Sequence, residues 1–165
     1  MPKGTDRERN LVDVLEDRKY RAFRAGASGG GTGKDRPDVI AGRDDIGRLL
    51  GIEAKAVEGN VYLRKSEFVQ LLLFCEGPDG LNILPDDLVS EYTYEDDFEK
   101  EGFGCEPWFA FWWAYNSEYD HSFVFLRPDQ ILNKMGDNET KKSYRVDKDR
   151  ALEIGYHREE FREPY

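Results

Sequence analysis

Residues 37–57, PDVIAGRDDIGRLLGIEAKAV, constrain the fold more than any other stretch, because two apolar β-prone runs bracket a polar turn and carry charge at fixed places. Val39, Ile40 and Ala41 predict a short buried strand, residues 42–47 a turn, and residues 49–57 a second strand. On that second strand Glu53 and Lys55 are two positions apart, so period-2 alternation points both side chains to one face. A hairpin then carries Asp38, at the head of the first strand, into the same neighbourhood. Two carboxylates held together repel unless a cation neutralises them, and an oxygen-only ligand set suits Mg²⁺. The adjacent lysine can orient or deprotonate a water, or balance charge building on a phosphate. This is the equipment of phosphodiester hydrolysis. The pattern is short, and an aspartate capping a turn beside a solvated strand face meets it equally well.

A chain of 165 residues that is 39% apolar suits one domain with a real core. We expect that domain over residues 1–150, with residues 77–106 inserted in it and 151–165 as a charged C-terminal tail. No apolar run approaches the ~18 residues of a membrane span, and the start, MPKGTDRERN, has no signal-peptide core. No membrane partner and a cytoplasmic location are therefore expected. A net charge of −10 argues at first against nucleic acid, since phosphates reward Lys and Arg. The charge is not spread evenly: residues 1–75 hold 14 basic and 12 acidic residues, 76–106 hold 1 and 11, and 107–165 hold 9 and 11. The whole excess sits in the middle segment, so it opposes DNA binding only if that segment lies on the DNA face. An acidic balance also fits a high-salt cytoplasm.

Along the chain, Thr5 or Asp6 is placed to cap a first helix ending near residue 18, with Leu11, Val12 and Leu15 facing inward. Residues 20–24 predict a strand. The glycine-rich AGASGGGTGKDR follows, in which Gly33-Lys34 precedes Asp35 and so breaks the spacing of a phosphate-binding P-loop; no nucleotide cofactor is expected. Lys34 and Arg36 could instead order this loop around a DNA backbone. Residues 61–63 are extended, and Ser66 is expected to cap a helix to about residue 76 that is apolar on most of its surface. Its second apolar side calls for either a central core position or a second subunit. Residues 77–106 read as an inserted loop or short helical excursion. The run WFAFWWAY at 108–115 predicts a strand paired with 121–126 through a turn, its rings serving as core or subunit contact rather than base stacking. A short helix opens at Pro128, and residues 136–165 read as a loosely ordered charged tail with a strand-like piece at 144–146. Cys75 and Cys105 have no metal spacing; they flank the insertion and could pin its base, although in a reducing cell both stay thiols. No serine or cysteine has the neighbours of an activated nucleophile.

Taken in order, Lys3-Gly4, Glu8-Arg9-x-Leu11-Val12, Phe23-Arg24, Ala27-Ser28-Gly29, Pro37 through Gly42, Ile52-Glu53-Ala54-Lys55, and Tyr62 and Lys65 before a helix ending in Phe74 make the chain resemble the archaeal Holliday junction resolvases of the Hjc type. These belong to the PD-(D/E)-x-K nuclease superfamily. The resemblance implies a restriction-endonuclease-like α/β fold, a central mixed β-sheet flanked by helices, working as a homodimer on a DNA four-way junction. It implies Asp38 and Glu53 as Mg²⁺ ligands, with Mn²⁺ able to substitute, and Glu8 completing the metal site. Lys55 would be the catalytic lysine, Ser28 would lie beside the scissile phosphate, Arg9 and Arg24 would contact phosphates with Lys34 and Lys65 as further DNA-binding residues, and Phe74 would end the dimer helix. Such a host is archaeal, possibly halophilic, or viral. The chain departs from the family in carrying Trp112-Trp113 where a lysine is common, Gly26 where a proline is common, and the acidic insertion after the dimer helix. That insertion could act as a repulsive fence narrowing the choice of DNA. The alternatives are a related nuclease acting on duplex or flap DNA, and a catalytically silent DNA-binding or DNA-mimicking protein.

Overall fold

The computed structural model describes residues 4–25, 36–113 and 123–156. The expected hairpin forms: β2 (Val39–Arg43) and β3 (Arg48–Val57) pair antiparallel, with Val39 opposite Ile52 and Arg43 opposite Arg48. A 3-10 turn at Asp44–Ile46 and Gly47, at φ 64°, close it. Glycine adopts that left-handed backbone without the ~1–2 kcal/mol that other residues lose there. β1 (Arg21–Arg24) adds antiparallel to β2. On the far side β5 (Glu106–Trp113) runs parallel to β3, and β6 (Val124–Leu126) closes the sheet antiparallel to β5, giving the order β1-β2-β3-β5-β6.

Strand β5 is central, and its sequence says why. Trp108, Phe109, Ala110, Phe111 and Trp112 are all buried, as a strand covered on both faces requires. Alternation splits the core in two. Leu50, Ile52, Ala54, Trp108 and Ala110 pack with α1 (Gly4–Asp17), whereas Phe109 and Phe111 pack with α2 (Lys65–Glu76). The aromatic run is thus core, and each fully buried ring contributes roughly 1.5–3 kcal/mol. Helix α1 buries Leu11, Val14 and Leu15, so Val14 rather than Val12 completes the inward stripe. It is already helical at Gly4, which puts the expected caps Thr5 and Asp6 inside its first turn.

Helix α2 also begins earlier than expected. Ser66 does not cap it; the helix opens at Lys65, whose backbone N–H donates to the Lys142 carbonyl at 2.8 Å. The second apolar side of α2 is covered by the chain itself. Residues 77–106 form a 3-10 turn (Pro78–Ile83), α3 (Asp86–Tyr92) and a second 3-10 turn (Glu95–Glu99), and Leu81, Leu84 and Leu88 join the α2 core. The returning segment of this excursion is pressed onto the end of α2: the Phe103 ring stacks on Phe74 at 5.2 Å, and a Cβ on Gly102 would come within 2.4 Å of the Gly77 nitrogen. Only glycine fits there.

A second small sheet pairs β4 (Val61–Arg64) with β7 (Ser143–Val146), joined to the core through α4 (Pro128–Asn133) and α5 (Lys148–Ile154). Asp147 caps α5 by accepting from the Arg150 N–H at 2.9 Å, Ala151 is fully buried, and the Tyr156 backbone bonds that of Phe125. The strand-like piece expected at 144–146 is β7, whereas residues 147–156, expected as a loose tail, are packed structure, with α5 running across residue 150. The reason is long-range: β7 needs β4 as its partner, and the two are far apart in sequence. Cys75 and Cys105 are free, buried thiols. Among the described residues no helix is long and apolar enough to cross a membrane.

Candidate active site

Asp38 sits at the mouth of β2, where the chain enters the sheet, and its Oδ2 accepts the Ala54 backbone N–H at 2.9 Å. That bond ties the first carboxylate between Glu53 and Lys55 on the neighbouring strand. Ala54 faces α1, so the alternation predicted for β3 holds and Glu53 and Lys55 project to the α2 side. The Glu53 and Asp38 carboxyls share a hydrogen bond. Burial, first, and then the Asp38 charge push the Glu53 carboxyl up to about 9, with Glu67 adding to the rise and Lys55 opposing it. Asp38 is raised too, chiefly by burial and further by Glu8, against the pull of the Ala54 N–H, Arg7 and Lys55. Two oxygen-only carboxyls that resist carrying their charges together fit a hard divalent cation.

The other predicted residues divide. Glu8, from α1, is near enough to raise Asp38, but its Oε2 accepts from Arg24 Nε on β1 at 3.1 Å. Among the described residues no three His, Cys, Asp or Glu side chains gather closely enough to hold a metal. Glu8 is engaged by Arg24. Arg9 is exposed on α1. The Lys65 side chain is 8% exposed, its ammonium pairs with Glu139, and it lies over the Tyr144 ring at 5.3 Å, beside the β4–β7 sheet. Phe74 is half-buried beneath Phe103. Ser28 and Lys34 lie outside the described residues. Two neighbours were not foreseen from sequence. Arg7 acts on Asp38 from α1, and Glu67 on the first turn of α2 accepts from Lys55 Nζ at 2.6 Å. An acid in the first helical turn after the site strand was the available signal for Glu67.

A mixed five-stranded sheet between helices, with a carboxyl pair and a lysine at the end of one hairpin, defines a nuclease of the restriction-endonuclease-like class. The family model for archaeal Holliday junction resolvase (Hjc) matches residues 1–84, just over half of the chain. The chain belongs to that family, and is accordingly an endonuclease that resolves DNA four-way junctions, in a family generally dependent on a divalent metal. The fold is similar to that of Archaeoglobus fulgidus Hjc, a Holliday junction resolvase from an archaeal hyperthermophile, with a TM-score of 0.59 and 22% identity over 92% of this chain and 93% of that one. That coverage extends beyond residue 84, where the family model ends.

Proposed function

We propose that the chain cuts junction strands as a single-domain, Mg²⁺-dependent homodimer, with Mn²⁺ able to substitute, and that Asp38 and Glu53 are the ligands at each site. A divalent ion bound there would supply positive charge against the phosphate oxygens and a more acidic water. The remaining work falls to side chains of the chain. Asp38 is held in place by the Ala54 N–H, so ligand geometry is set by the hairpin register rather than by a flexible loop. Lys55, on the same face as Glu53, orients the attacking water or offsets charge on the phosphate. Glu8 completes the site on exchanging Arg24, and the released guanidinium, with exposed Arg9, grips the backbone. Ser28 lies beside the scissile phosphate and Lys34 contacts DNA. Recognition by backbone shape rather than base edges suits a substrate defined by its branching.

The observation that carries this reading is the buried Asp38–Glu53 pair beside Lys55. It is tested with a synthetic four-way junction, with and without Mg²⁺. Lys55→Ala should abolish cleavage while leaving junction binding within about twofold, since the lysine acts on the reacting group more than on affinity. A Lys55→Ala protein that cuts at the parental rate overturns the assignment.

A further inference from the structure

Lys55 makes its ion pair with Glu67, although its charge also reaches Asp38 and Glu53. Its Nζ donates to Glu67 Oε2 at 2.6 Å, with both side chains about a quarter exposed, at 25% and 28%. Glu67 comes from a different element, the first turn of α2, twelve residues on and across the connection that carries β4. Its other oxygen lies 4.0 Å from Arg64 Nε, whose side chain is 78% exposed and free to swing away. A lysine has four rotatable bonds, and without this acceptor the ammonium could settle on the charges of Asp38 and Glu53, which it already attracts. There it would compete for the place of a divalent ion and lie off the line of attack. The acceptor on α2 gives it a partner outside the carboxyl pair.

We infer that Glu67 is a positioning residue of this nuclease: it holds the Lys55 ammonium apart from the carboxyl pair, leaving Asp38 and Glu53 for the metal and aiming the lysine at the substrate phosphate. The inference rests on the proposed role of Lys55. Glu67 touches neither the reacting atoms nor the metal. Its rigidity comes from the helix, since Phe68 and Val69 beside it are fully buried and anchor that turn to the sheet. Misplacement of a reacting group by about 1 Å costs on the order of 100-fold in rate, which sets the size of the expected effect.

Single-turnover cleavage of a four-way junction at saturating protein is compared with junction affinity measured in Ca²⁺, for Glu67→Ala, Glu67→Gln, Lys55→Ala and the Glu67→Ala/Lys55→Ala double variant, with thermal midpoints recorded for each. Glu67→Ala should slow cleavage by about 10- to 100-fold with affinity unchanged. Glu67→Gln, which keeps a carbonyl acceptor at the same reach, should recover most of the rate, and the double variant should be no slower than Lys55→Ala. Parental cleavage by Glu67→Ala while Lys55→Ala is inactive overturns the inference alone. A further loss in the double variant, or a rate loss in Glu67→Ala matched by an equal loss of affinity, also overturns it. Should Lys55→Ala itself cut normally, the reading beneath it fails instead. A merely structural role would lower the thermal midpoint of Glu67→Ala and Glu67→Gln alike, without the rescue.

Discussion

Glu53 concentrates the electrostatic cost of the site. A carboxyl raised to about 9 by burial and by Asp38 binds its proton more tightly in the folded chain than in the unfolded one. Its contribution to stability is therefore complete below its ordinary value and is lost as pH rises through the raised one. In chelator, the thermal midpoint should fall between about pH 5 and about pH 9, and Glu53→Gln should flatten that fall, because an amide keeps the hydrogen bond to Asp38 without the charge. Calorimetry across this range checks it; an unchanged slope in the variant would remove Glu53 as the source. Near pH 8 the same variant should gain about 2–4 °C for each kcal/mol that folding spends on keeping Glu53 protonated. The divalent ion should raise the midpoint of the parent but not of Glu53→Gln, because only the paired carboxylates gain from it.

The acidic excursion carries both packed leucines and exposed charge, and its composition alone does not separate what the two contribute. Its leucines are core: Leu81, Leu84 and Leu88 are nearly fully buried against α2. Leu88→Ala should cost about 2–4 kcal/mol through the lost contacts and the cavity left behind, a loss readable by chemical denaturation; a cost near zero would mean that the excursion is only draped over α2. Removing residues 78–105 outright is thus a poor probe of its charges. Neutralising Glu91, Asp96, Glu99 and Glu101, all exposed, is a better one. If these carboxylates fence off unbranched DNA, the neutralised protein should bind plain duplex more tightly at low salt while its junction affinity changes less. Equal gains on both substrates, or none, would dismiss the fence.

At the scale of the whole molecule, if two copies pair through α2 as proposed, the contact would involve more than Phe74. Leu73, Phe74 and Phe103 line a groove of about 300 Å³ together with Asp97, Lys100 and Glu101, so a partner copy seated on that helix would meet the excursion as well. Phe74→Arg should yield a monomer by sedimentation that leaves singly nicked junctions in place of paired cuts, since a twofold substrate needs two joined sites. A variant that stays dimeric moves the interface elsewhere. The hairpin was legible in the sequence because strand alternation is local: Glu53 and Lys55 share a face as period 2 requires, although the turn expected over 42–47 is confined to 44–47, and the β-prone aromatic run forms the expected strand, its rings in the core rather than against a subunit. Tertiary structure alone decided the rest. Lys65 was paired with Glu139, Lys55 with Glu67 and Glu8 with Arg24, and the second side of α2 was covered by the chain's own insertion. Each of these joins residues that are distant in sequence, and which charges or apolar faces meet across such distances is set by the packing of whole elements, which no local periodicity encodes.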